Sequence, residues 1–69
     1  MIKLTTVRTF DPMYGFRIIP AGTELTLRPT NYSNYVYYIM GCDFHALGYP
    51  VTSWDMEKAF GENWELLIN

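Results

Sequence analysis

Cys42, Asp43 and His45 lie together in the stretch CDFH. A thiol, a carboxylate and an imidazole are the parts of a nucleophilic site or of a soft metal centre, but their spacing argues against both. A nucleophile needs a base within hydrogen-bond reach and a third group to orient that base, ordinarily brought from separate elements around a pocket. Here one short segment carries all three. A zinc site would need about four ligands, and Cys42 and His45 are the only cysteine and histidine in the chain. A buried thiol beside an exposed or capping imidazole is the expectation.

Paired carboxylates could serve acid–base chemistry. Asp55, Glu57 and Glu62, however, fall on a short helical stretch and its flank, where anions complement the helix dipole or are simply solvated. The chain has no glycine-rich phosphate loop, nucleophile elbow or HExxH pattern. With 69 residues, a barrel-like domain also has little volume to spare for a pocket of several hundred Å³. The reading is a non-enzymatic protein without a cofactor or metal.

The remaining chemistry is recognition. TNYSNYVYYIMG, residues 30 to 41, places Tyr32, Tyr35, Tyr37 and Tyr38 close together. On a strand, Tyr35, Tyr37 and Ile39 point one way and Val36, Tyr38 and Met40 the other. Val36 and Met40 make the second set the natural core face. Tyr35 and Tyr37 are then expected outside, with Tyr32 on the adjoining turn, available to a partner or covered by the helix, the N-terminal loop or a second copy of the chain. Tyrosines are favoured at interfaces because they combine area with few torsions and a polar tip. Trp54, just after a helix cap, is expected to pack over one end of the domain, with exposure at an interface as the alternative. Met13, Met40 and Met56 read as fillers of core gaps.

Charge narrows the choice of partner. The net charge is −2 but is unevenly placed. Up to position 42, Lys3, Arg8, Arg17 and Arg28 stand against Asp11 and Glu24, a balance of +2. Beyond it, Asp43, Asp55, Glu57, Glu62 and Glu65 stand against Lys58, a balance of −4. Lys3, Arg17 and Arg28 with the tyrosines could stack and neutralise a single nucleic-acid strand, but overall acidity and the shortage of lysine argue against this. The carboxylates Asp55, Glu57, Glu62 and Glu65 could instead occupy a basic groove on a partner protein.

A chain this short sits near the size at which one core only just offsets the entropy of folding. A lone cysteine cannot form an intrachain disulfide and fits a reducing cytosol. Four Phe, two Trp and six Tyr must therefore supply much of the burial. MIKLTTVRTF lacks the apolar core of a signal peptide, and YVYYIMG is far short of the roughly 20 residues that span a bilayer. A cytoplasmic protein is expected, in the host cytoplasm if it is phage-encoded.

These residues need elements to hold them. IKLTTV alternates with Ile2 and Leu4 on one side and is β-branched, a half-buried strand. TFDPMYG reads as a loop at Asp-Pro and Gly. FRIIP is a short strand ended by Pro20, AGT a turn, and ELTLR a strand with Leu25 and Leu27 facing in. PTNYSN is a turn, YVYYIMG the strongest strand, and CDFHALG a loop or irregular hairpin. YPVTS is an edge strand, since Pro50 suits an edge. At TSWDMEKAFG the period becomes helical, with Thr52 or Ser53 as N-cap and Gly61 past the end. NWELLI returns to alternation, with Trp64, Leu66 and Ile68 on one face.

IPAGTELTL, YVYYIM and YPVTSWDMEKAF together resemble the small SH3-like barrels of prokaryotic and phage proteins, over residues 16 to 68. In those proteins a P-x-G-T turn leads into a strand, a longer strand follows, and a short helical turn precedes the last strand. The resemblance implies a mainly β fold, a five-stranded antiparallel barrel with one short helix. The helix is longer than the single turn usual there, which keeps an α+β arrangement with a curved antiparallel sheet open. The acidic and aromatic residues with which eukaryotic SH3 domains grip proline-rich peptides have no counterpart in the pattern, so that activity is not implied. The expected function is that of a single-domain protein-binding module, an inhibitor or adaptor encoded by a phage or mobile element and acting on a larger host protein. Tyr32, Tyr35, Tyr37, Arg28, Trp54, Asp55, Glu57 and Glu62 are its expected contacts. Single-stranded nucleic-acid binding and self-assembly are the alternatives.

Overall fold

The structure, a computed structural model, describes residues 1–12, 18–43 and 48–68. Four strands form one antiparallel meander in the order β1-β2-β3-β4: β1 Ile2–Thr5, β2 Glu24–Pro29, β3 Tyr37–Cys42 and β4 Tyr49–Val51. Helix α1, Ser53–Phe60, and a 3-10 helix, Trp64–Leu67, follow. The coarse expectation of a mainly β chain with one short helix holds. Among the described residues the sheet is open: β1 and β4 are its two edges, and it has four strands, not five. The closed barrel is therefore corrected, and its physical reason lies in two segments.

The first is FRIIP. Its described part, from Ile18, joins Phe10 through one isolated antiparallel bridge to Ile19 instead of a ladder, with Ile19 buried and Ile18 exposed. Phe16 and Arg17 lie outside the described residues. The second is NWELLI. Strict alternation would bury Trp64, Leu66 and Ile68 together, yet Leu66 is 72% exposed while Trp64 is buried. Bonds from Trp64 N–H to Gly61 C=O (3.2 Å), Leu66 N–H to Asn63 C=O (3.0 Å) and Ile68 N–H to Glu65 C=O (3.3 Å) satisfy this backbone locally. The segment thus adds no strand beside β1, and it packs Trp64 and, just past its end, Ile68 against the core.

The core lies between one sheet face and α1. Leu25 and Leu27 of β2, Ile39 of β3 and Val51 of β4 meet Met56, Ala59 and Phe60 of α1, with Phe10, Ile19 and Trp64 closing the margins. Alternation in β2 holds as expected. In β3 it holds from Tyr37 to Met40, after which a bulge interrupts the register: Thr26 pairs with Gly41 and Leu27 with Ile39, so Met40 has no partner on β2. The extra residue lets Ile39 and Cys42, three apart, both face inward opposite Leu27 and Leu25, which a regular strand forbids. The assignment of Tyr38 and Met40 to the core and of Tyr37 and Ile39 to the outside is reversed, because it takes its phase from Val36, which lies outside the strand. Ile39 is buried, Tyr37 packs against the core and Met40 is exposed. Val36 packs against the core as expected, but from a bend before the strand begins.

Local chemistry fixes the ends of the elements. Thr52 is the N-cap of α1 in a reciprocal capping box with Asp55, the pattern that satisfies two otherwise orphaned N–H groups. Gly61 ends the helix at φ 93°, donating its N–H to Glu57 C=O at 2.8 Å, a conformation that disfavours any side chain. Buried Thr6 and Thr23 bind β1 to the turn before β2. Both hydroxyls donate to Pro20 C=O, at 3.0 and 2.6 Å, and Thr23 N–H donates to Thr6 Oγ1 at 3.1 Å. Gly22 supplies the positive φ that this turn requires. Among the described residues, no helix is long and apolar enough to cross a membrane.

Candidate partner-binding cleft

The turn between β2 and β3 is locked by its own backbone. Thr30 donates from Oγ1 to Tyr35 C=O (2.8 Å) and from N–H to Val36 C=O (3.1 Å), and Tyr35 N–H donates to Tyr32 C=O (3.1 Å). Val36 N–H reaches Val51 C=O at 2.9 Å, anchoring the turn to β4. These bonds present Tyr35, Val36 and Tyr37 as one wall. The 3-10 helix supplies the other with Trp64 and Glu65, and Ile68 follows it. Between them lies an open cleft of about 380 Å³ lined by Thr30, Tyr35, Val36, Tyr37, Trp64, Glu65 and Ile68. The two walls are joined by the rings of Tyr37 and Trp64, which meet edge to face with centroids 6.5 Å apart and planes at 88°. That geometry suits the ring quadrupoles and holds both side chains in place.

A cleft of this size lies at the lower end of the range for ligand sites, although a domain this small is expected to have little volume to spare for one. The space is found beside the core, where the last segment turns away from the sheet, and not inside a barrel. Its surroundings are apolar and exposed: Tyr32, on the same turn as Tyr35, is 66% accessible, and Leu66 and Leu67 on the 3-10 helix are also exposed. The lining combines aromatic faces, aliphatic branches, tyrosine hydroxyls and one carboxylate. The arrangement offers area for hydrophobic contact together with polar groups that could orient a guest.

Of the residues expected to meet a partner, the structure brings Tyr35 and Tyr37 to this cleft and Tyr32 to its turn. Tyr37 arrives from the inner side of the sheet, not the outer, because of the β3 register. Arg28 and Tyr38 lie across the sheet, directly paired, with the guanidinium 5.4 Å from the ring centroid. Trp54 is 49% exposed, with the Lys58 ammonium 4.3 Å from its ring centroid, correcting its expected place over the end of the core. Asp55 is engaged within the chain. Its side chain is buried at the helix start, where Oδ2 accepts from Thr52 N–H and Thr52 Oγ1–H, both at 2.9 Å. Glu57 and Glu62 are exposed on and after α1.

Thr30, Val36, Trp64, Glu65 and Ile68 complete the cleft without having been expected there. The alternation in NWELLI places Trp64 and Ile68 in a strand, and by sequence Glu65 belongs only to an acidic surface. Of the CDFH cluster, Cys42 is a half-buried free thiol and Asp43 Oδ2 accepts from Glu24 N–H at 3.2 Å. His45 lies outside the described residues. Among the described residues, no group of three or more His, Cys, Asp or Glu side chains is gathered to hold a metal ion.

No family model, curated protein or solved structure matches this chain. Its functional reading therefore rests on the chemistry of the cleft.

Proposed function

We propose that this protein is a protein-binding module that receives a segment of its partner in the cleft between Tyr35–Tyr37 and the 3-10 helix. The observation that carries the proposal is the convergence of three aromatic residues, Tyr35, Tyr37 and Trp64, on one open cleft beside exposed Tyr32, Leu66 and Leu67. Aromatic anchors in a partly desolvated depression, with apolar groups around them, are the usual centre of binding energy at protein interfaces. The role that fits a chain of this size is that of an inhibitor or adaptor docking on a larger protein, phage- or mobile-element-encoded in origin, in the cytoplasm.

Two other surfaces weigh less. The outer sheet face, with Lys3, Arg28 and Tyr38, offers stacking and phosphate contacts to a single nucleic-acid strand, but Arg28 already covers the Tyr38 ring. The carboxylate surface lacks Asp55, which caps its own helix. A pull-down from bacterial lysate with the intact chain, Tyr35→Ser and Thr26→Ala tests the proposal. A protein retained by the intact chain and by Thr26→Ala, at the centre of the sheet, but lost with Tyr35→Ser is the expected result. Equal retention by all three places the interface elsewhere.

A further inference from the structure

We propose that the cleft selects an arginine side chain of the partner protein, with the guanidinium against the aromatic wall and paired with Glu65. This rests on the protein-binding reading above and names the chemistry of the group received. Tyr35, Tyr37 and Trp64 give the cleft ring surface, and among the described residues that line it Glu65 is the one that is charged. A ring quadrupole attracts a cation over its face, and a carboxylate on the same wall adds charge and direction. Both favour a guest that is flat, positive and weakly hydrated. Guanidinium meets this description better than ammonium, because it stacks on rings and can engage a carboxylate with two parallel hydrogen bonds.

Charge complementarity acts over a longer range in the same direction. The chain from Asp43 onward carries −4 and the whole chain −2, so a basic partner segment is drawn toward it. The molecule also uses this chemistry within itself. Among the described residues, the contacts of Arg28 with Tyr38 and of Lys58 with Trp54 both lie outside the cleft. Tyr32, Leu66 and Leu67 would take apolar residues flanking the arginine.

The test is to pan a displayed library of random 12-residue peptides on the intact chain, then to synthesise each enriched peptide with arginine and with citrulline, its uncharged isostere. Binding is located by the Trp64 indole and Glu65 amide resonances and quantified by fluorescence anisotropy. The expected peptides contain arginine, shift those resonances, and bind about tenfold more weakly after either arginine→citrulline or Glu65→Gln. Peptides that shift the cleft resonances but bind equally well as citrulline forms overturn the arginine assignment and leave the protein-binding cleft standing. Enriched peptides that move only resonances elsewhere, or a library that yields no binder, overturn both. Glu65 is exposed, so its substitution leaves the core intact; should the variant nevertheless unfold, the citrulline arm decides alone.

Discussion

Asp55 shows how one side chain can change meaning between sequence and structure. Read along the chain it is one of several carboxylates available to a partner. Folded, it is the third residue of α1, buried, and bonded through Oδ2 to both the N–H and the hydroxyl of Thr52. Thr52 answers by accepting Asp55 N–H at 3.3 Å. A helix of eight residues is far below the length that is stable alone, so its cap matters more than it would on a long helix. Replacing Asp55 with Ala is expected to cost about 1 kcal/mol, read as a lower urea midpoint with an unchanged slope. Glu57→Ala, on the exposed side of the same helix, should leave the midpoint where it is. Equal effects from the two would mean that Asp55 is only a surface charge.

At the scale of elements, the register of β3 on β2 decides which residues are core and which are surface. With Met40 left over between the Thr26–Gly41 and Leu27–Ile39 pairs, Ile39 sits against Leu27 in the interior. Ile39→Ala should therefore cost about 2–5 kcal/mol through lost burial and the cavity left behind. Met40→Ala, at an exposed site, should stay within about 0.5 kcal/mol. Strict alternation from Val36 demands the opposite ranking, so thermal or urea unfolding of the two variants separates the registers. The elements that were legible are those with a local cause. The Leu25/Leu27 alternation, Pro50 at an edge, Thr52 as cap and Gly61 as stop each follow from residue type and spacing, and each is found. The bulge follows from no single residue: the need to bring both Ile39 and Cys42 to the core comes from β2 across the sheet. The 3-10 helix failed for a related reason. Trp64-Glu-Leu-Leu-Ile fits period two as well as a turn, and the choice was made by Tyr37, whose ring waits for Trp64. The cleft inherits both failures. Its tyrosines were visible in TNYSNYVYYIMG, but the wall opposite them was hidden by reading the last segment as a strand.

For the molecule as a whole, Trp64 joins stability to recognition. It is buried, closes one margin of the core and lines the cleft. A globular chain of this length has about 3–10 kcal/mol of stability, and truncating a buried tryptophan to alanine costs about 3–5 kcal/mol, so Trp64→Ala should leave a large unfolded fraction at 37 °C. Loss of binding by that variant would therefore be uninformative, whereas Trp64→Phe keeps a ring against Tyr37 and should remain folded. The two tryptophans also report on this arrangement independently. With Trp54→Phe, the remaining indole is Trp64 in an apolar setting, and its emission should lie to the blue and move to the red on unfolding. With Trp64→Phe, the remaining indole is the half-exposed Trp54, and its emission should start further to the red and move less. A red-emitting Trp64 in the folded Trp54→Phe variant would mean that the last segment does not close the core. It would remove the second wall of the cleft, and with it the site proposed for the partner.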